Sequence, residues 1–184
     1  HCKSVSAQEL RALLGARKAV QQGRIALEMS LRELLRNFGL KVGTTSRGRF
    51  HIRIRELLDG NALLLAATEP MLAARAALLQ EMAGLDRLVR TLAGDDPVCR
   101  LLMSMPGIGA VVALTFKSAI DDPTRFRSSK RVGPWVGLTP SRNQSGERDV
   151  MGGITKAGDA NLRRALCQAA TVMMHRGRPS WLRT

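Results

Sequence analysis

The sequence predicts a mainly α-helical protein in which a long antiparallel helical hairpin precedes a small helical domain. Hydrophobic residues make up 45% of the 184 residues but aromatic residues only 3%. The core must therefore consist of Leu, Ala, Val, Ile and Met, a composition typical of helices. In the first half, leucines recur at spacings of three, four and seven residues, which places them on one helix face.

The first predicted helix covers residues 6–38. Ser6 and Glu9 have the spacing of a capping box at its start, and Gly39 is suited to end it. A loop with Gly, Ser and Arg follows, and then a short helix at about 51–59. The apolar stripe of the first helix is Leu10, Leu13, Val20, Leu27, Leu31, Leu34 and Phe38.

A second long helix is predicted over residues 69–93, with Pro70 in its first turn. Its apolar stripe is Leu72, Leu78, Leu79, Met82, Leu85, Leu88 and Leu92. Together the two helices predict a helical coiled-coil arm over residues 1–94. An ordinary helical bundle is the alternative interpretation.

Residues 94–97 indicate a domain boundary. Asp96 is suited to cap a new helix and Pro97 to begin it, so we expect a second domain over residues 95–184. From this point short elements with frequent Gly and Pro replace the long helices.

Residues 97–120 read as helix, tight turn and helix, with the turn at Met105-Pro106-Gly107-Ile108-Gly109. Gly107 and Gly109 permit positive φ and a close backbone approach. The free N–H groups at the start of the second helix suit a DNA phosphate. The turn resembles that of the helix-hairpin-helix module, which binds the duplex backbone without reading bases. A simple corner between two helices is the alternative.

The charge balance indicates a polyanionic partner. The chain has 29 Lys and Arg residues against 15 Asp and Glu, and residues 97–184 hold 14 basic but only 5 acidic side chains. Such a surplus favours nucleic acid through counterion release. Four cations after the turn could line a phosphate track or form a solvated face: Arg125, Arg127, Lys130 and Arg131.

Other classes of protein are not supported. The three cysteines and three histidines are scattered, so neither a zinc site nor a disulfide framework is predicted. No signal peptide or transmembrane helix is expected, and we expect a cytoplasmic, nucleoid-associated protein.

Residues 137–148 are polar and predict an exposed loop or short β-hairpin. A second glycine-rich turn, residues 152–158, leads into a final helix at about 159–176. Arg163 and Arg164 lie in the first turns of this helix and are candidate phosphate contacts.

These motifs together resemble the bridge-RNA-guided insertion-sequence transposases. The resemblance rests on the Pro-Gly-Ile-Gly turn, on Asp122-Pro123-Thr124-Arg125-Phe126, on Gly137 to Pro140, on Ser145-Gly146 and on Gly152 to Gly158. Upstream, Arg47-Gly48-Arg49-Phe50 also resembles the coiled-coil region of the family. The resemblance therefore spans nearly the whole chain.

The resemblance implies that Ser145 is a nucleophile that becomes linked to DNA. A serine hydroxyl can attack a phosphodiester, and cations must then stabilise the phosphoryl group. Arg142, Arg148 and Lys156 are the candidate cations by sequence proximity. From the residues alone, a turn-forming serine is the favoured interpretation of Ser145, and only the resemblance favours catalysis. Ser141 is the next candidate.

The resemblance also implies an N-terminal resolvase-like domain with four acidic residues that bind Mg²⁺. Nothing in this sequence resembles that domain, and its Asp pairs at 95–96 and 121–122 are better explained as helix caps. The chain begins with His1 rather than Met, so we expect a fragment, truncated at both ends and inactive alone. The expected partners are DNA, a guide RNA, and further copies of the chain through the helical arm.

Two other functions fit parts of the sequence. A non-enzymatic helix-hairpin-helix DNA-binding module explains the Pro-Gly-Ile-Gly turn and the positive charge, but it does not explain the loop that contains Ser145. A helical oligomerisation protein explains the paired leucine stripes but not the basic second half.

Overall fold

The computed structural model describes residues 2–145 and 148–176, and these residues form seven α-helices and one two-stranded sheet, which confirms the mainly α class. The helices are α1 (Val5–Arg36), α2 (Phe50–Leu57), α3 (Ala62–Asp95), α4 (Pro97–Met103), α5 (Ala110–Ile120), α6 (Val132–Val136) and α7 (Ala160–Arg176). The strands are β1 (Pro140–Ser145) and β2 (Arg148–Ile154), and they pair antiparallel.

The chain divides into two compact units. The arm unit is Gly15–Arg87, and the terminal unit comprises the described residues of His1–Leu14 and Leu88–Thr184. The boundaries between these units fall inside α1 and α3 and do not coincide with residue 94. A separate helical arm over residues 1–94 stays a prediction.

In the arm unit α1 and α3 run antiparallel. Arg17 in α1 contacts Asp86 near the end of α3, at 2.7 Å, whereas the later Glu28 contacts the earlier Arg75, also at 2.7 Å. A hydrophobic core unites α1, α2, α3 and the loop before α2; its buried members are Leu31, Leu35, Val42, Phe50, Ile54, Leu58 and Leu72. Coiled-coil geometry for this pair stays a prediction.

The start of α1 differs from the prediction. Ser4 rather than Ser6 caps the helix, because its Oγ accepts a hydrogen bond from the Ala7 N–H at 3.1 Å. Asp121, remote in sequence, fixes this serine by accepting bonds from its N–H at 2.8 Å and its hydroxyl at 2.6 Å. Local sequence could not reveal this partner, so the capping box was misplaced by two residues.

The end of α1 is stopped by Gly39, as predicted, in a left-handed conformation with φ of +74°. The Leu40 N–H donates to the Leu35 carbonyl and the Gly39 N–H to the Arg36 carbonyl, which is the Schellman arrangement. Phe38 does not join the apolar stripe, since its side chain is 56% exposed. The helix has already ended at that residue, so its spacing no longer applies.

The start of α3 was also predicted wrongly. The helix begins at Ala62 and is capped by Asn61, whose side-chain oxygen accepts from the Leu64 N–H at 3.1 Å. Pro70 lies inside the helix, where it cannot donate a backbone hydrogen bond. The buried side chains of Thr68 and Leu72 flank it, so packing continues the helix across this position.

By length and composition alone, α3 could cross a membrane. The same helix carries Arg75, which is only 3% exposed and ion-paired with Glu28. Leu72, Met82, Val89 and Ala93 of α3 are buried against the rest of the protein. Thus α3 packs one face against the rest of the protein, although only 17% of its apolar window is buried.

Two clusters form the core of the terminal unit. One joins α3, α4 and α5 through Val89, Ala93, Cys99, Ala113 and Leu114, and the other joins α5, α6 and α7 through Ala119, Val136 and Leu162. Leu88 and Leu92 were predicted to lie in the apolar stripe of the second long helix but are exposed. In α3 the smaller Val89 and Ala93 take the buried positions, which a leucine count misses.

Candidate nucleic-acid interface

The helix, turn and helix predicted over residues 97–120 are present as α4, a turn at residues 104–109, and α5. Asp96 caps α4 by accepting from the Cys99 N–H at 2.8 Å, and its carboxylate also pairs with Lys117 of α5. Burial raises the pKa of the Cys99 thiol to about 11. This cysteine is therefore a packing residue and not a reactive one.

The two glycines of the turn have different surroundings. Gly107 has φ of +83°, and a Cβ at this residue would lie 2.5 Å from the Ala169 carbonyl oxygen of α7. Its missing side chain therefore permits contact with α7, not with a ligand, which corrects its predicted role. Gly109 has open space beside it and is exposed. It precedes α5, whose first turn has no side-chain cap.

Arg125 is a packed side chain rather than a surface cation. Its guanidinium lies 4.4 Å from the ring centre of Trp135 and 4.6 Å from that of Phe126, within cation–π range. The two rings meet edge to face at 5.4 Å. Its Nε and Nη2 are buried and have no hydrogen-bond partner among the described residues. Arg125 therefore packs against aromatic rings and does not belong to the surface cations of the predicted phosphate track.

The other three cations of that track remain at the surface. Arg127, Lys130 and Arg131 are exposed, and no described carboxylate lies within ion-pair distance of them. The last two lie on a 3₁₀ turn, Ser129–Arg131, which leads directly into α6. Their charge is available to a polyanion.

The two glycine-containing motifs after α6 pack against each other. Gly137 ends α6 with φ of +78°, and a Cβ there would lie 2.4 Å from the Ala157 N. A Cβ at Gly158 would lie 2.0 Å from the Trp135 carbonyl oxygen. The Lys156 N–H donates to the Gly137 carbonyl at 3.1 Å. The glycines thus close the base of the β-hairpin.

The polar segment that contains Ser145, predicted as an exposed loop or short β-hairpin, forms the hairpin of β1 and β2. Ser145 is the last residue of β1, is exposed, and lies opposite Arg148 in β2. Its hydroxyl makes no hydrogen bond to any residue that the structure describes. Gly146 and Glu147, at the tip, lie outside the described residues.

Ser141, the second serine candidate, has a structural explanation. It lies at an irregularity between the paired residues Pro140 and Arg142. Its hydroxyl donates to the Gly153 carbonyl at 3.2 Å, and a Cβ at Gly152 would lie 2.5 Å from that hydroxyl oxygen. Ser141 therefore stabilises the register of the hairpin.

The candidate cations of the hairpin differ in availability. Arg142 forms a two-point pair with Asp149, with Nε–Oδ1 at 2.9 Å and Nη2–Oδ2 at 2.5 Å, and this pair lowers the pKa of Asp149. Lys156 is exposed, with a left-handed backbone at φ of +56°. The side chain of Arg148 lies outside the described part of the structure.

The two arginines at the start of α7 also differ in whether their side chains are available to a phosphate. Arg163 donates from Nη1 to the carbonyls of Gly158 at 2.6 Å and Val136 at 3.0 Å, so it holds the loop before α7 and is not a free phosphate contact. Arg164 is exposed and has no ion-pair partner among the described residues.

The turn and the base of the β-hairpin contact different positions along α7 and the segment before it. Gly107 contacts α7 at Ala169, whereas the hairpin base contacts the segment just before Ala160. With a rise of about 1.5 Å per residue, these contacts are roughly 15 Å apart along the helix.

Three N-terminal residues that no sequence motif indicated, Lys3, Ser4 and Arg11, help to hold the terminal unit together. Lys3 donates to the Ala119 carbonyl at 2.6 Å, and Arg11 pairs at 2.6 Å with Asp159, the residue that caps α7. Burial would raise the pKa of Asp159, but the bonds from the Leu162 N–H and Arg11 lower it below its ordinary value. No local pattern joins residues so distant in sequence.

Among the described residues, no group of three or more His, Cys, Asp or Glu side chains is placed to hold a metal ion. Of the predicted Asp pairs, Asp96 and Asp122 accept bonds from backbone N–H groups at element starts, as the helix-cap interpretation requires, whereas Asp121 accepts bonds from Ser4.

Comparison with known proteins gives similarity to transposases. Residues 99–184 match the model described as the Transposase IS116/IS110/IS902 family. The chain is 29% identical over 181 residues to the transposase for insertion sequence element IS1111A of Coxiella burnetii, a match that covers 94% of this chain and 48% of that protein. It is 33% identical over 99 residues to the transposase for insertion sequence element IS1328 of Yersinia enterocolitica, covering 54% of this chain and 30% of that protein. The chain thus spans about half the length of the first relative.

Proposed function

We propose that this chain is part of a transposase of the IS116/IS110/IS902 family and binds DNA through its terminal unit. One observation carries the proposal: the segment that matches the family exposes cations that no described carboxylate neutralises. These cations are Arg127, Lys130, Arg131, Lys156 and Arg164. Unpaired surface cations bind phosphates by releasing condensed counterions.

The start of α5 supports the same function. Gly109 leaves space for a close approach, and the first N–H groups of α5 have no side-chain cap. A helix start with free N–H groups binds a phosphate oxygen and carries no sequence preference. The terminal unit would therefore hold the DNA backbone without selecting bases.

Ser145 is the proposed nucleophile. Its exposed position at the end of β1 allows a DNA strand to reach the hydroxyl. In the proposed step a bond forms between Ser145 Oγ and phosphorus, and one backbone P–O bond breaks. The serine proton passes to a base, and the released sugar oxygen takes up a proton. The phosphoserine link conserves the bond energy for reversal by a second DNA end.

Activation of the serine requires groups beyond those described. No described residue accepts a hydrogen bond from the Ser145 hydroxyl, and an unassisted serine is a weak nucleophile. We therefore propose that this chain alone binds nucleic acid but does not recombine it, and that any Mg²⁺ belongs to the length of the relatives that it does not span. A guide RNA and self-association through the arm remain predictions from the resemblance.

A non-enzymatic DNA-binding module is the second candidate. The helix, turn and helix of α4 and α5 and the exposed cations fit it, whereas the similarity to transposases favours the first candidate. The two candidates differ in one outcome, because a binding module never becomes covalently attached to DNA.

The test uses a whole transposase that contains this chain. Ser145→Ala should abolish the covalent protein–DNA adduct on a denaturing gel and leave binding near normal in a mobility-shift assay. Ser141→Ala is the matched control, and it should keep the adduct. An adduct that persists in Ser145→Ala would show that another group is the nucleophile.

A further inference from the structure

The β-hairpin that carries Ser145 has few contacts to hold it in shape. Every residue of β1 and β2 whose burial the structure describes is exposed, so none of these side chains packs into a core. A two-stranded hairpin of this kind is only marginally stable in water. Its order therefore depends on the contacts at its base and between its two strands.

The base of the hairpin is fixed by hydrogen bonds to the backbone. The Thr155 N–H donates to the Thr139 carbonyl at 3.0 Å. The Ser141 hydroxyl adds a bond to the Gly153 carbonyl at 3.2 Å, at the same end of the hairpin. These bonds fix the start of β1 and the end of β2, whereas Ser145 lies at the opposite end of β1.

One pair of charged side chains joins the strands between the base and Ser145. Arg142 of β1 donates to Asp149 of β2 from two nitrogens, Nε to Oδ1 at 2.9 Å and Nη2 to Oδ2 at 2.5 Å. It is the only ion pair between the two strands among the residues that the structure describes. A two-point pair of this kind fixes the relative orientation of its partners as well as their distance.

The register of the hairpin separates this ion pair from the serine. Four consecutive residue pairs run from Arg142–Met151 to Ser145–Arg148 without a bulge. Because successive residues of a strand lie on opposite faces, Arg142 and Asp149 share one face and Ser145 belongs to the other. Arg142 is thus neither unpaired nor on the face of the serine, so it is poorly placed to stabilise a phosphoryl group there.

We propose that Arg142 and Asp149 are positioning residues for Ser145. Their pair holds the outer half of the hairpin in register and so keeps the serine where a DNA strand can meet it. Neither side chain contacts DNA in this role. The inference rests on the proposed function, because it requires Ser145 to be the nucleophile.

Amide hydrogen exchange of the purified chain measures the order of the hairpin directly. A cross-strand charge pair shifts the folding equilibrium of its hairpin by about two- to fivefold, so Arg142→Gln and Asp149→Asn should each speed exchange in residues 140–154 by about that factor. The reversed pair R142D/D149R should restore slow exchange, because it keeps the contact with its charges exchanged. Exchange in α5 should not change in any variant and is the internal control.

The rate of covalent adduct formation, in a whole transposase that contains this chain, measures the positioning of the serine. The rate should fall by about two- to fivefold in R142Q and in D149N, because fewer molecules have an ordered hairpin. R142D/D149R should recover the rate. A direct contact of Arg142 with the phosphoryl group could not be recovered in this way, since the reversed variant has no cation at that position.

The affinity for duplex DNA separates positioning from phosphate contact. In a mobility-shift assay R142Q and D149N should bind within about twofold of the wild type, because Arg142 is screened from the DNA by its partner and by salt. Arg164→Gln, which removes a proposed phosphate contact, should weaken binding and is the positive control. If R142Q instead lowered the salt dependence by about 0.9, and D149N bound more tightly, Arg142 would be a phosphate contact and the proposal would be overturned.

Failure of this inference and failure of the proposed function give different results. Unchanged hydrogen exchange or an unchanged adduct rate in R142Q and D149N would overturn the positioning role while Ser145→Ala still abolishes the adduct. Loss of the adduct that R142D/D149R does not recover would also overturn it. An adduct that persists in Ser145→Ala would show that the nucleophile is wrong, and the positioning role would fall with it.

Discussion

Arginine side chains have two different uses in this protein. Arg11, Arg75 and Arg163 bind carboxylates or carbonyls inside their units, and Arg125 packs between two aromatic rings. Others keep their charge at the surface. The basic composition alone therefore overstates the number of residues available to a polyanion, and only the contacts separate the two groups.

Arg75 should be the most sensitive of these arginines. Arg75→Met removes its bonds to Glu28 and to the Arg47 carbonyl, and leaves Glu28 with Arg24 as its remaining ion pair. We expect a loss of about 3 kcal/mol in the free energy of unfolding, measured by urea denaturation.

Arg36→Met is the matched control, since Arg36 is exposed and has no described partner. It should change the free energy of unfolding by less than about 0.5 kcal/mol. Equal stability of the two variants would contradict the assigned role of Arg75.

At the scale of elements, apolar spacing was sufficient to predict the long helices but not where they begin. α1, α2 and α7 lie close to their predicted ranges. α3 begins seven residues before its predicted start, because buried flanking residues outweigh the local cost of Pro70. The β-hairpin was predicted only as an alternative to a loop, since polar strands with both faces exposed lack an apolar alternation.

The turn between α4 and α5 gives a test at this scale. Gly107→Ala should cost roughly 2–4 kcal/mol of stability, because it combines a positive φ with a contact of 2.5 Å to the Ala169 carbonyl oxygen. Thermal unfolding followed by circular dichroism measures the loss.

Gly109→Ala provides the comparison at the other glycine of the turn. Its φ is −100° and the space beside it is open, so it should cost less than about 1 kcal/mol. A larger loss for Gly109→Ala than for Gly107→Ala would mean that the turn packs differently.

At the scale of the whole chain, the division into compact units could not be predicted. It depends on contacts such as Lys3 with Ala119, Ser4 with Asp121 and Arg11 with Asp159, which join the N-terminal residues to the second half.

The candidate site was predicted in part. The exposure of Arg127, Lys130, Arg131 and Arg164 agrees with surface roles, whereas Gly107, Arg125 and Arg163 serve packing, which no local motif reveals.

The most direct test of DNA binding by phosphate contacts is the affinity of the purified chain for a DNA duplex as a function of salt. With the five cations Arg127, Lys130, Arg131, Lys156 and Arg164 engaged, log K should fall against log salt with a slope of about −4 to −5. Replacing those five with glutamine should flatten the slope. Affinity that is independent of salt, or no binding at low salt, would contradict the proposed function.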